Sequence, residues 1–277
     1  MMANQTRVSV IVTTYQRPRA LEQVLASLAA QEVSPAEIIV ADDGSGPETA
    51  TLVNSWRERM MPPLLHVWQE NIGFRAARAR NRAVAASCGD YLVFLDGDCL
   101  VFPDFIRRHL ALAEAGQMVM GSRILCAPAL TERIESGTAM PLAWGWMGWL
   151  GARWRGEVNR IFPLLRLPGQ TWRKHRPLRW QGVRTFNLAI WRSDFERVNG
   201  FDESFQGWGH EDADLAVRLI HGGVRRKDGQ FALPVLHLWH RESDRSQAHE
   251  NMRRLRARID TGQVRAHQGL DQYAGGQ

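Results

Sequence analysis

The sequence predicts an α/β fold with a mostly parallel central sheet flanked by helices, and three observations carry that expectation. Over the first 121 residues, short β-branched runs alternate with stretches of helical periodicity, the pattern of repeated β-α units. Two of the runs end in acidic turns, Asp42-Asp43-Gly44-Ser45 and Asp96-Gly97-Asp98, and open α/β sheets bind ligands outside the carboxyl ends of their strands. At 277 residues and 44% hydrophobic, the chain can bury a full core without disulfides or a structural metal.

Strands are expected at Val8–Thr13, Glu37–Ala41, Leu64–Trp68, Tyr91–Leu95 and Met118–Met120. Between the first two, Leu21, Val24, Leu25 and Leu28 recur at helical spacing, and Pro18 stands where a first helical turn tolerates it. Further crossover helices are expected over Pro47–Arg59, Arg75–Ser87 and Pro103–Ala115. From Cys126 to Val183 periodicity is lost among proline, glycine, tryptophan and arginine, which reads as an irregular, mobile insertion. Order is expected to return with a strand at Thr185–Trp191, a turn at Asn199-Gly200, a helix over Glu211–His221 stopped by Gly222-Gly223, and a strand near Phe231–Leu238. The expected organisation is a single domain over 1–250, made of a nucleotide-binding half (1–122), the insertion (123–183) and an acceptor half (184–250). A polar, Arg-rich tail follows over 251–277, its closing AGGQ frayed.

Composition narrows the function classes. Three cysteines, Cys88, Cys99 and Cys126, with no CxxC spacing, argue against a disulfide framework or zinc ribbon and fit a reducing cytoplasm. No secretory leader is expected from MMANQTRVSV. The longest uncharged run, Ala139 to Ala152, is shorter than the roughly 20 residues that span a bilayer and contains proline and glycine. Thirty-five Lys and Arg against 29 Asp and Glu give a formal charge of +6, which suggests an anionic partner. The tryptophans of Trp144–Trp154 and the basic stretch Trp172–Arg179 read either as a peripheral membrane surface or as a buried cluster beside a solvated loop.

The chemistry concentrates at three acidic groups. One Asp-Gly pair is an ordinary turn, but two acidic clusters at equivalent strand ends point to one crevice. Gathered carboxylates need a cation, and oxygen ligands with an added imidazole suit Mn²⁺ or Mg²⁺. The imidazoles offered are His237 and His240 in HLWH; surface or hydrogen-bonded core roles are the alternatives. Asn71 to Arg82 carries four arginines, with Arg75, Arg78 and Arg82 on one helical face and Arg80 off it, suited in part to a pyrophosphate and in part to solvent. In Trp208-Gly209-His210-Glu211-Asp212, helix capping accounts for one or two carboxylates but not for the glycines flanking the tryptophan, which suggest a turn presenting backbone and an aromatic face to a ligand.

VSVIVTTYQRP, VADDGS, NIGFRAARARN and YLVFLDGDC together resemble the family-two inverting glycosyltransferases of GT-A fold. The segment from Phe186 through GWGHED to HLWH is similar to the C-terminal region of β-1,4-galactosyltransferases and of chondroitin-polymerase-like enzymes. The resemblance implies a UDP-sugar donor contacted by Thr13, Tyr15, Asp43 and Asp96, to which the arginine run and the GWG turn add Arg80 and Trp208, and a Mn²⁺ (or Mg²⁺) ion held by Asp98 with His240 and His237. It implies Asp212 as general base with Glu211 beside it positioning the acceptor, a glycan or lipid-linked glycan of bacterial surface polysaccharide. His210 departs from the galactosyltransferases, which carry glycine there. A nucleotidyltransferase and a basic module binding membrane or nucleic acid remain as alternative readings; the first lacks its Gly-rich basic loop, and nucleic acid is not an expected partner.

Overall fold

The computed structural model describes residues 6–241, 244 and 246–273; the closing AGGQ lies outside them. The chain runs β1 (Val8–Thr14), α1 (Pro18–Ala29), β2 (Glu37–Asp42), α2 (Pro47–Arg57), β3 (Leu64–Trp68), α3 (Ala76–Ala85), β4 (Tyr91–Asp96), β5 (Cys99–Val101), α4 (Phe105–Leu112), β6 (Gln117–Met120) and β7 (Ser122–Leu125). It continues through α5 (Pro128–Glu135), α6 (Trp146–Trp154), β8 (Asn187–Trp191), α7 (Arg192–Arg197), α8 (Glu211–His221), β9 (Arg225–Asp228), β10 (Pro234–His237) and α9 (Ala248–Thr261).

Seven strands form the main sheet in the order β3-β2-β1-β4-β8-β6-β9. The first four are mutually parallel, β8 runs antiparallel between β4 and β6, and β6 and β9 are parallel. The central strands are buried on both faces, with Val10 to Val12, Ile38 to Val40 and Leu92 to Leu95 all inaccessible to solvent, as parallel strands covered by helices require. α1 buries Leu21, Val24, Leu25 and Leu28, the stripe read from their spacing.

A second sheet, β5-β10-β7, is not expected from the sequence. Its strands have three or four residues, too short for a periodic signal. Its register sets His237 opposite both Cys99 and Leu125, so the turn after β4 and the end of β10 meet.

Three expected elements differ from those observed. The 126–183 segment is not featureless: it holds α5, α6 and short 3₁₀ turns, with Trp149 buried against Phe102 and Trp144 at ring distances of 6.1 and 5.4 Å. The late strand starts at Pro234 because Phe231 adopts a left-handed φ of 59°, which breaks an extended run. The polar tail carries α9, which packs on α8 through buried charge. Arg258 pairs with Asp214 at 2.9 Å and with Asp202 at 2.6 Å, while Asp214 also holds Arg218 at 2.7 Å. The buried positions of α9 are Asn251, Leu255 and Arg258, so its inward face is mostly polar and hydrophobic periodicity misses it.

Candidate functional site

The crevice is built by register. In the parallel pairs, Thr14 lies opposite Asp42 and Thr13 opposite Asp96, which lines up the carboxyl ends of β1, β2 and β4. Gly97 turns the chain against β1, donating its N–H to the Thr13 carbonyl at 2.7 Å, and a Cβ there would stand 2.9 Å from that oxygen. Only glycine fits this approach.

At one end, Tyr15 is half exposed and its hydroxyl accepts from Asn71 Nδ2 at 3.1 Å. Asp43 is buried and accepts from the Arg75 backbone N–H at 2.7 Å and from Gln69 Nε2 at 2.6 Å; burial pushes its carboxyl up despite those donors. Its neighbour Asp42 is fixed by His66 Nε2 at 2.8 Å and the Ser45 N–H at 2.8 Å. These bonds hold the DDGS turn against the NIGF loop.

In the middle, Asp98 is nearly buried among three nitrogen groups. His237 Nε2 lies 3.6 Å from its Oδ1 and His240 Nε2 lies 3.6 Å from its Oδ2, with the two rings 5.3 Å apart. His240 Nδ1 sits 2.7 Å from the Arg241 carbonyl, so a proton on Nδ1 leaves the Nε2 lone pair aimed at the cluster, the orientation that ligating histidines take from an outer carbonyl. Burial holds His237 below the usual imidazole range even with Asp98 beside it, which keeps it neutral. Asp98, Cys99 and His237 offer ligand atoms within 4.8 Å of one another, but burial keeps Cys99 a thiol that donates to Asp98. The donor set is therefore one carboxylate and two imidazoles, a set that fits a divalent first-row transition cation.

The third nitrogen group, Arg17, escapes sequence reasoning. It places Nη1 2.8 Å from Asp98 Oδ2 and Nη2 2.9 Å from Glu135, and the Trp239 carbonyl accepts from it at 3.2 Å. The arginine of TYQRP thus supplies a cation to the cluster itself. Its acidic partner Glu135 is 118 residues away in sequence, which no local pattern reveals.

At the far end, Arg80 joins the remaining candidates. Its side chain is 5% exposed; Nε donates to Thr13 Oγ1 at 3.0 Å, Nη2 lies 3.4 Å from Asp96, and Nη1 lies 3.4 Å from Glu211 and 3.7 Å from Asp212. The sequence assigns Arg80 to the donor and off the face of the other arginines. Here it is the counter-ion of three carboxylates. Burial and the Asp212 charge push Glu211 up to about 7, with Arg80 opposing the shift. Partial enclosure, reinforced by Asp98 and Asp212, pushes Asp96 up as well. Asp212 is held by Thr185, whose hydroxyl donates at 2.9 Å and whose N–H donates at 3.3 Å. Glu211, Asp212 and Asp214 occupy the first turn of α8, where the helix dipole favours negative charge.

The GWG turn leads into that helix. Gly207, Gly209 and His210 have φ of 72°, 108° and 72°, and the Gly207 N–H donates to the Phe74 carbonyl at 3.1 Å. Trp208, half buried between the glycines, is thereby set beside the NIGF loop. A histidine in the left-handed region costs roughly 1–2 kcal/mol relative to glycine, so His210 is a strained replacement at a position whose backbone prefers glycine.

Comparison with known proteins fits this geometry. The model of glycosyl transferase family 2 matches residues 9–162, more than half of the chain. The chain belongs to glycosyl transferase family 2. A second model, described as the N-terminal domain of galactosyltransferase, matches residues 170–241, the stretch with Thr185, Asp212, His237 and His240. Validoxylamine A glucosyltransferase of Streptomyces hygroscopicus subsp. limoneus is 34% identical over 78% of this chain and 48% of its own length. Hyaluronan synthase of Pasteurella multocida is 28% identical over 78% of this chain and 23% of its own. The chain therefore spans about half the length of the first relative and less of the second. Among solved structures, S. aureus TarS superposes with a TM-score of 0.62 at 15% identity over 96% of this chain and 68% of that one. Mannosyltransferase PcManGT from Pyrobaculum calidifontis superposes with a TM-score of 0.55 at 19% identity over 94% and 64%. The fold of this family 2 chain is GT-A.

Proposed function

We propose that this chain is an inverting, metal-dependent glycosyltransferase. It moves a hexose or N-acetylhexosamine, galactose-type by the GWGHED motif, from a UDP-sugar to a hydroxyl of a glycan or lipid-linked glycan in bacterial surface polysaccharide synthesis. The observation that carries the reading is Asp98 between two imidazoles on the same crevice as the Arg80-linked pair Asp96 and Asp212. Asp98, His237 and His240 would hold the divalent cation, Mn²⁺ or Mg²⁺, which when bound offsets charge on the departing diphosphate. Related folds support such a donor and cation: TarS has been solved with UDP and with UDP-GlcNAc, and PcManGT with GDP-Man and Mn²⁺. The hyaluronan and chondroitin synthases among the relatives support a polysaccharide acceptor, and the glucosyltransferase relatives keep the sugar at the level of hexose.

In this reading Tyr15 and the Asp43 turn line the uracil end, with Thr13 and Asp96 beneath the ribose. Asp212 takes the proton of the acceptor hydroxyl on the face opposite the leaving diphosphate, as inversion demands. Thr185 aims that carboxylate, Glu211 and Trp208 position the sugar groups, and Arg80 keeps the carboxylates together. A panel of nucleotide sugars and glycan acceptors, with and without Mn²⁺, tests it by the nucleotide released. UDP released only with cation and acceptor is the expected result; pyrophosphate would replace this reading with nucleotidyl transfer.

A further inference from the structure

The insertion carries a surface that the sugar chemistry does not use. α6 turns Trp146, Met147, Leu150 and Trp154 outward at 52%, 82%, 49% and 89% exposure, while Trp149 and Ala152 face the core. At about 100° per residue the four outward side chains fall within roughly 100° of arc, one continuous apolar strip on the solvent side of a helix. Met140 and Phe162, 71% and 69% exposed, flank it in sequence. Single exposed hydrophobes are ordinary, but a grouped set marks an interaction surface.

Charge says what the surface meets. Residues 139–183 hold eight of the 35 Lys and Arg and one of the 29 Asp and Glu. The rest of the chain therefore carries 27 basic against 28 acidic residues. Within the segment Arg173 is buried, and Arg155, Arg166 and Lys174 pair with Glu157, Asp104 and Glu114 respectively, which leaves Arg153, Arg160, Arg176 and Arg179 as its remaining exposed basic residues. The lone acid, Glu157, is neutralised by Arg133 at 2.6 Å and Arg155 at 2.8 Å. The basic part is braced rather than loose: buried Arg173 donates to the carbonyls of Leu167, Gly169, Asp228 and Gln230. Among the described residues no helix is long and apolar enough to cross a membrane, and α6 has nine residues.

We propose that this face docks peripherally on an anionic lipid bilayer, with α6 lying in the interface and exposed arginines of the same segment on lipid headgroups. Tryptophan prefers the headgroup level, Met and Leu enter the acyl boundary, and basic side chains supply attraction to anionic lipid. Nucleic acid shares the charge complementarity but has no use for an aliphatic strip. The patch also begins near the crevice: Met140 is five residues beyond Glu135, the partner of Arg17, so at most about 18 Å of chain separates them.

Vesicle flotation with the full chain tests the proposal, using neutral phosphatidylcholine vesicles and vesicles with about one-third phosphatidylglycerol. Expected are partition at least about tenfold stronger to the anionic vesicles, a decline with salt, and loss of about tenfold or more in Trp146→Ser/Met147→Ser/Leu150→Ser/Trp154→Ser. A separate Arg153→Glu/Arg176→Glu variant, altered only at exposed positions, should lose the lipid-charge preference with an unchanged circular dichroism spectrum. Partition that is absent, indifferent to lipid charge or unaffected by both variants overturns the proposal. So does self-association through the strip, seen as a concentration-dependent mass that the serine variant abolishes, or oligonucleotide binding that replaces vesicle binding.

Discussion

The two carboxylate clusters of the crevice solve the same electrostatic problem differently. Around Asp96, Glu211 and Asp212 the compensating cation is Arg80, sealed at 5% exposure on α3 and bonded to all of them or within ion-pair range. Around Asp98 it is Arg17, 27% exposed on the loop after β1, assisted by two imidazoles. A buried guanidinium in a helix is a permanent part of the structure, whereas a loop arginine at the surface can yield its carboxylate to another cation. In the proposed function, this difference separates a fixed end, which holds the base in place, from an exchangeable end, which receives the metal.

Substitutions at the fixed end should have the largest effects. Asp212→Asn removes the proposed base while keeping its shape and its Thr185 contacts, and turnover should fall by about 10²–10⁴ with UDP affinity retained; near-native kcat in a steady-state assay would reject the assignment. Arg80→Met leaves three carboxylates without their shared counter-ion, a loss of about 3–5 kcal/mol, visible as a fall of roughly 10 °C in Tm. A smaller effect, read against pH, comes from Glu211. Because its folded pKa is raised from 4.5 to about 7, the unfolded chain releases this proton first, and the group's contribution to stability declines as pH rises from about 4.5 to about 7. Glu211→Gln removes that decline, so the variant's Tm should gain on wild type between pH 5 and pH 8; parallel Tm profiles would contradict the burial of this charge.

Much of the exchangeable end is legible in the amino-acid pattern alone. The strands β1, β2 and β4 are continuous apolar runs, and their acidic ends follow from the rule that α/β crevices open at carboxyl termini. HLWH likewise stands at a strand end. Arg17 is not legible, because an arginine in a loop looks solvated until its partners Asp98 and Glu135, on two other elements, are in place. The role of Arg80 is half visible: helical spacing separates it from its neighbours, yet only its burial at 4% and its ion pairs show that it turns inward to carboxylates. β9, Arg-Arg-Lys-Asp, has no apolar residue, and its Lys227 is buried by bonds to the Leu112 carbonyl, Gln170 and Glu114. α9 escapes for the same reason. Where burial is carried by paired charge, hydrophobic pattern carries no signal.

Calorimetric titration of UDP, with and without Mn²⁺, into wild type, Asp98→Ala and Arg17→Ala bears most directly on the exchangeable cluster. Mn²⁺ should strengthen UDP binding by about tenfold or more in wild type, the gain should vanish in Asp98→Ala, and it should persist in Arg17→Ala, where the competing guanidinium is gone. An undiminished Mn²⁺ gain in Asp98→Ala would mean that the cation is held elsewhere, and that Asp98, His237 and His240 are only a structural ion-pair cluster.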